Sequence, residues 1–271
     1  MMDAVRVTGL RKSYGKKTVL NGIDLNVRAG TIFALLGVNG AGKTTALECI
    51  EGLRKMDSGS VTINGRIGIQ LQSAALPAHI KGMEAVRLFA KWNKTSVNTA
   101  MLAALGVDRL ANKQYQEMST GQKRRLHLAL ALIRDPDLVF LDEPTAGLDV
   151  EGRIALHEYI RTLKNRGKTV LLASHDMAEV ENLCDGIAIL KDGRIAFTGT
   201  VAQLTEKIGK HYNILVRTSW GTEKYEVDHI ETGLLAILRD YQEKDEAIQD
   251  IQVDRGSLEQ HFVKIARGDE Q

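Results

Sequence analysis

Apolar and polar residues alternate with a period of two at 5–7 and 23–27, which predicts strands with one buried face, and Thr18-Val19-Leu20 reads as a further strand. Residues 31–36 replace that alternation with a nearly continuous apolar run, the pattern of a strand covered on both sides in a parallel sheet. A helix-like run follows at 46–52, then a strand at 60–63 held between the Asp57-Ser58-Gly59 and Asn64-Gly65 turns. From 77 to about 117 the spacing turns helical, with Ala85, Val86, Leu88 and Phe89 in one segment and Met101, Leu102 and Leu105 in the next. Helices at 120–133, 151–166 and 177–183 then alternate with buried strands at 138–141 and 169–173, and a hairpin at 187–190 and 195–197 turns on Lys191-Asp192-Gly193. Beyond about 203 the pattern predicts a small α+β extension. It has strands at 212–217 and 224–227, a helix carrying Leu234, Leu235, Ile237, Leu238 and Tyr241, a strand near 247–253 and a helix at 258–266. The fold class is α/β, with a separate helical subdomain at about 77–133 inserted into the main unit.

Between the buried strand at 31–36 and the helix at 46–52 lies Gly37-Val38-Asn39-Gly40-Ala41-Gly42-Lys43-Thr44-Thr45. A G-x-x-x-x-G-K-[ST] stretch in that setting is a phosphate-binding loop, and it predicts a P-loop nucleoside-triphosphate hydrolase. Its glycines let the backbone close into a cradle whose N–H groups face a di- or triphosphate at the positive end of the helix. Gly37, Asn39, Gly40, Ala41, Gly42, Lys43, Thr44 and Thr45 are the candidate nucleotide-binding residues. Lys43 reaches the β- and γ-phosphates, and the Thr44 hydroxyl ligates Mg²⁺. A second acidic feature, Leu138-Val139-Phe140-Leu141-Asp142-Glu143, sets two carboxylates just past the end of a buried strand, where doubly wound sheets bind ligands. It predicts a shared site in which Asp142 serves Mg²⁺ and Glu143 polarises the attacking water. These residues predict a di- or triphosphate and Mg²⁺ as ligands.

The 271 residues carry a formal net charge of +2 with acids and bases interspersed, which does not describe a nucleic-acid-binding surface. The two cysteines, Cys49 and Cys184, have no metal or redox spacing and read as buried apolar residues of a reduced, cytosolic protein. No run approaches the ~20 apolar residues of a membrane span, so any membrane part is expected on another chain.

Further motifs resemble those of the ATP-binding cassette family, the ATPase subunits of ABC transporters. Met118-Ser119-Thr120-Gly121-Gln122 is similar to that family's signature sequence, usually Leu-Ser-Gly-Gly-Gln, with Thr120 and Met118 as departures. Ala146-Gly147-Leu148-Asp149 resembles its D-loop, and Ser174-His175-Asp176 its switch histidine. Tyr14 matches the aromatic that stacks on adenine, and Gln72 matches the Q-loop glutamine, with Gln70 as the competing residue. The resemblance covers about residues 3–205, with every motif in the family's order.

It implies a cassette with an antiparallel β subdomain and a helical signature subdomain on residues 1–205, and a C-terminal extension on 206–271. It also implies that the nucleotide is ATP, so the cofactors expected are ATP and Mg²⁺. Glu143, His175, Lys43 and Gln72 would be catalytic, and Thr44, Gln72 and Asp142 would serve the metal. Tyr14, Ser119, Gly121, Gln122 and Asp149 would complete the nucleotide site. Ser119 and Asp149 also read as helix N-caps, and His175 as a core histidine. The implied partners are a separate transmembrane permease and a second cassette, with no nucleic acid, at the cytoplasmic side of the membrane as a peripheral subunit. The stretch Ala74-Ala75-Leu76-Pro77 is the candidate permease contact, or an ordinary loop. Leu258-Glu259-Gln260-His261-Phe262 resembles the endings of drug- and antibiotic-export cassettes and points to an exporter. The alternatives are a cassette ATPase acting on ribosomes or DNA, or a regulatory module without hydrolysis.

Overall fold

The structure, a computed structural model, describes residues 2–71, 75–207, 212–244 and 246–255. They form two compact units that divide at Thr198/Gly199. In chain order the first unit contains β1 (Asp3–Tyr14), β2 (Lys17–Arg28), β3 (Ile32–Leu36), α1 (Lys43–Ile50), β4 (Ser58–Ile63) and β5 (Ile67–Gln70). The helices α2 (Gly82–Trp92), α3 (Thr99–Ala104) and α4 (Thr120–Ala131) follow, with short 3-10 turns at Asp108–Leu110 and Tyr115–Glu117. Then come β6 (Leu138–Asp142), α5 (Val150–Asn165), β7 (Thr169–Ser174), α6 (Met177–Leu183), β8 (Gly186–Lys191) and β9 (Arg194–Gly199).

One sheet has the order β2-β1-β4 and is antiparallel; the other has the order β5-β6-β7-β3-β8-β9, with parallel pairing from β5 through β8. Every residue of β3, β6 and β7 is buried, which is why these strands read as unbroken apolar runs. Val5, Leu10, Leu20, Val27, Leu47, Ile50 and Phe140 join in one core between the two sheets and α1. Burying a side chain such as Phe140 fully contributes about 1.5–3 kcal/mol.

Two differences from the sequence reading have local causes. The strands expected at 18–20 and 23–27 are one, because Gly22, at φ 78, sits inside the strand rather than ending it. The short strand β5 escaped the pattern because Gly68 interrupts it; α4 lies so close that a Cβ there would stand 2.3 Å from the Ala131 carbonyl oxygen. Cys49 is buried as expected, whereas Cys184 is only half-buried.

The second unit holds α7 (Val201–Lys207), β10 (Tyr212–Thr218), β11 (Thr222–Val227), α8 (Ile230–Glu243) and β12 (Ile248–Arg255). Its antiparallel sheet, β11-β10-β12, packs Ile214 and Val216 against Ile237 and Tyr241 of α8. The helix expected at 258–266 lies outside the described residues. Among the described residues no helix is long and apolar enough to cross a membrane.

A buried acid gives this core a pH dependence. Burial, with Asp142 and Glu48 nearby, raises the Glu51 carboxyl to about 7, and its Oε2 has no hydrogen-bond partner. Below pH 4.5 the group is neutral folded and unfolded; as pH rises the unfolded chain ionises first, so the cost to folding grows up to pH 7 and stays. At about 1.4 kcal/mol per unit, lessened by partial solvation, Glu51→Gln is expected to stabilise the protein by about 2 kcal/mol at pH 8. Denaturant titration should show less than half that gain at pH 5.

Candidate functional site

Parallel pairing of β6, β7 and β3 brings three chain segments to one edge of the sheet. Leu36 is in register with Ser174 and Asp142 with Ala173, so the segments that leave these strands emerge side by side. They carry the loop at 37–45, Glu143 and His175. Gly37 is buried, and a Cβ there would stand 2.8 Å from the Leu190 carbonyl oxygen. Gly42, at φ 105, caps α1 without a side-chain bond to the helix, so backbone N–H groups of its first turn remain available to an anion. Asn39 and Gly40 are exposed at the loop tip, Ala41 is buried, and Thr44 and Thr45 are half-buried.

Lys43 is 7% exposed and folds back over the loop. Its Nζ donates to the carbonyl of Gly37 at 2.7 Å and of Val38 at 3.4 Å, and stands 3.6 Å from Oε1 of Glu143. The other carboxylate oxygen of Glu143 meets His175 Nδ1 at 2.7 Å; beside a carboxylate that nitrogen carries the proton and donates it. Glu143 therefore lies between an ammonium and an imidazole. Its backbone has φ 49, in the left-handed region that costs a non-glycine residue roughly 1–3 kcal/mol.

Asp142 precedes it and is 4% exposed. Burial raises its carboxyl, an effect opposed by a hydrogen bond from Thr44 and by Lys43, and its Oδ1 has no partner. A buried, unpartnered carboxylate oxygen next to a hydroxyl is a donor set that suits a hard cation such as Mg²⁺. Among the described residues no group of three His, Cys, Asp or Glu side chains is placed to hold a metal by itself. Arg124 of α4 reaches the Asp142 carbonyl at 3.4 Å and ties that helix to the strand end.

Tyr14 ends β1 and is 43% exposed, with Lys12 Nζ 5.6 Å and Arg54 Cζ 5.4 Å from its ring centroid. Gln72 lies outside the described residues, as does Ala74 of the expected contact stretch, in which Ala75 and Pro77 are exposed and Leu76 half-buried. The competing Gln70 is 3% exposed with an unpartnered Oε1.

Ser119, Gly121, Gln122 and Asp149 gather elsewhere, around a cavity of about 600 Å³ that none of residues 37–45 lines. Ser119 caps α4 and exchanges hydrogen bonds with Gln122, its Oγ accepting from Gln122 N at 3.3 Å and its N donating to Gln122 Oε1 at 3.1 Å. Asp149 caps α5, accepting from Gly152 N at 2.8 Å. Both cap helices while still lining the cavity. The unusual Met118 is buried, and the Thr120 methyl lies 3.0 Å from where a Cβ on Gly147 would stand, so it fits against a glycine. His127, with its basicity lowered by burial, stacks on Tyr115 and takes no part in either cluster.

Sequence reasoning missed Glu179. It is buried behind His175 and Glu143 and receives hydrogen bonds from Ser174 and Thr145. Read in sequence, it is an ordinary acid in the first turn of a helix.

A profile of the family described as ABC transporter matches residues 20–146. A daunorubicin resistance ATP-binding protein of Streptomyces coeruleorubidus is 35% identical over 224 residues, 76% of this chain and 71% of that protein. A Nod factor export ATP-binding protein of Rhizobium meliloti (strain 1021) is 39% identical over 225 residues, 76% of this chain and 67% of its own length. A lantibiotic transport ATP-binding protein of Streptococcus pyogenes is 34% identical over 202 residues, 70% of this chain and 88% of its own length. The solved ATP-binding subunit of an ABC transporter superposes with a TM-score of 0.70 at 27% identity, over 75% of this chain and 92% of that one.

The loop geometry generates a direct expectation. Gly42→Ala places a Cβ 3.0 Å from a Leu20 methyl and forces alanine to φ 105. It is expected to cost about 1–3 kcal/mol, read by denaturant unfolding.

Proposed function

The chain belongs to the ATP-binding subunits of ABC transporters and is an ATPase of that kind, and from this premise we propose that it powers an exporter through a site shared between two cassettes. The observation that carries the hydrolytic reading is Glu143, buried at the strand end with one carboxylate oxygen toward Lys43 and the other on His175. The export reading is supported by the relatives named for drug resistance, Nod factor export and lantibiotic transport.

In the proposed mechanism the triphosphate lies in the loop, against Gly37, Asn39, Gly40, Ala41, Gly42 and Thr45, with adenine on the ring of the exposed Tyr14. Lys43 exchanges the carbonyls of Gly37 and Val38 for phosphate oxygens, which are charged and stronger acceptors. Thr44 and Asp142, with Gln72, would hold Mg²⁺, which when bound neutralises charge on the phosphates. Glu143 accepts a proton from the attacking water as the water oxygen bonds to the γ-phosphorus and the bond to the ADP oxygen breaks. His175 orients the Glu143 carboxylate through Nδ1.

Ser119, Gly121, Gln122 and Asp149 line a cavity apart from this loop, which supports a second cassette as the source of the complementary surface. In that pairing the start of α4, capped by Ser119, would face the other chain's γ-phosphate. The membrane-spanning part would come from a separate permease, placing this chain at the cytoplasmic side of the membrane. The cassette and the C-terminal extension would act as distinct parts.

Glu143→Gln keeps shape but removes the base. It is expected to lower ATP turnover by at least about 100-fold while leaving ATP affinity within a few-fold of wild type, measured by phosphate release and equilibrium nucleotide binding. Retained turnover would remove Glu143 from the mechanism. Host cells producing the same variant should become more sensitive to some members of a panel of amphiphilic antibiotics and lantibiotics; unchanged sensitivity throughout would count against export.

A further inference from the structure

Resting on the hydrolytic reading above, we propose that Glu179 is a positioning residue for ATP hydrolysis, holding the two segments that carry Glu143 and His175 in the arrangement that lets those side chains meet. The Glu179 side chain is only 1% exposed. Its Oε2 accepts from Ser174 Oγ at 2.7 Å and Thr145 Oγ1 at 3.1 Å. Ser174 immediately precedes His175, and Thr145 follows Glu143 with Pro144 between them. One carboxylate oxygen thus joins the chain on both sides of the Glu143–His175 contact.

The contact needs such support. Glu143 is held at φ 49, a conformation that persists only where its surroundings over-determine it. Its own N–H bonds to the Ala173 carbonyl at 3.0 Å, Ala146 N–H closes the turn onto the Glu143 carbonyl at 3.2 Å, and Glu179 fixes Thr145 between them. On the other side, Ser174 Oγ also accepts from Asp176 N at 3.1 Å, so the bond to Glu179 orients the turn through His175.

The second oxygen of Glu179 extends the linkage. Oε1 stands 3.2 Å from His157 Nε2 on α5, which donates to the carboxylate. The first turns of α5 contribute Glu151, Gly152 and Ala155 to the cavity at Ser119. Glu179 therefore connects the hydrolytic pair to the helix that borders the surface offered to a second cassette. Stability alone is a poor reason for it, since apolar side chains of similar volume fill such positions at lower desolvation cost.

The test is steady-state ATP turnover and equilibrium nucleotide binding on the full chain, with Glu143→Gln as the reference for loss of chemistry. Glu179→Ala is expected to lower kcat about 100-fold, as misplacement of reacting groups does, with KM and nucleotide affinity within about threefold of wild type. Glu179→Gln should recover most of kcat. Its amide oxygen still accepts from Ser174 and Thr145, and its NH₂ can donate to His157 in the other tautomer. Ser174→Ala and Thr145→Val each remove one donor and should each lower kcat about tenfold, again without change in KM; they answer the question if Glu179→Ala fails to fold. Wild-type kcat in Glu179→Ala, or in both single-donor variants, would overturn the proposal while leaving the ATPase reading intact. Equal inactivity of the Gln and Ala variants, both folded, would overturn it as well. Turnover unaffected by Glu143→Gln would instead bring down the hydrolytic reading itself.

Discussion

The buried ammonium of Lys43 has to be compensated wherever it goes, and the site is organised by that requirement. A charge with so little exposure is tolerated only when paired and hydrogen-bonded, and removing one member of such a pair costs roughly 3–5 kcal/mol. Here the compensation comes from two loop carbonyls and from Glu143, the first residue past the end of β6. That arrangement exists because β6, β7 and β3 lie adjacent and parallel, so the segments leaving them share one edge. The same edge brings His175 onto Glu143 and leaves an unpartnered oxygen of Asp142 close to Thr44. In the proposed mechanism a triphosphate entering the loop would offer Lys43 better acceptors and free the Glu143 carboxylate to act on water.

The proposed second half of the site has a different construction. Around Ser119 and Asp149 there are helix ends, capped internally, and a cavity bordered by α4 and α5. Arg124 runs from α4 to the Asp142 carbonyl, and His157 runs from α5 to Glu179, so both helices that border the cavity also touch the machinery around Glu143. Side chains thereby link both borders of the cavity to the residues around Glu143 and His175, the pair proposed to carry hydrolysis.

Much of this could be read from the residues in order. The glycines and Lys43 of the loop identify themselves by spacing, and the apolar runs of β3, β6 and β7 are unmistakable because both faces of those strands are covered. What escaped was tertiary in origin. The strand β5 is short and holds a glycine required by the approach of α4, so no periodicity marks it. The left-handed backbone of Glu143 has no local signature, since glutamate rarely adopts it without outside constraint. Glu179 looks like a common helix-start acid until Thr145, Ser174 and His157, distant in sequence, converge on it. Ser119 and Asp149 were legible both as caps and as ligands, and their cap bonds are compatible with either role.

The central claim is that this chain supplies one half of a two-cassette engine attached to a membrane permease. Native mass spectrometry of tagged Glu143→Gln protein, extracted in detergent from membranes of its own host with Mg-ATP present, tests it most directly. The account predicts an assembly containing two cassettes, retained ATP and a polytopic membrane protein. Recovery of the chain as a single cassette with bound ATP and no membrane partner, or with ribosomal proteins instead, would contradict it.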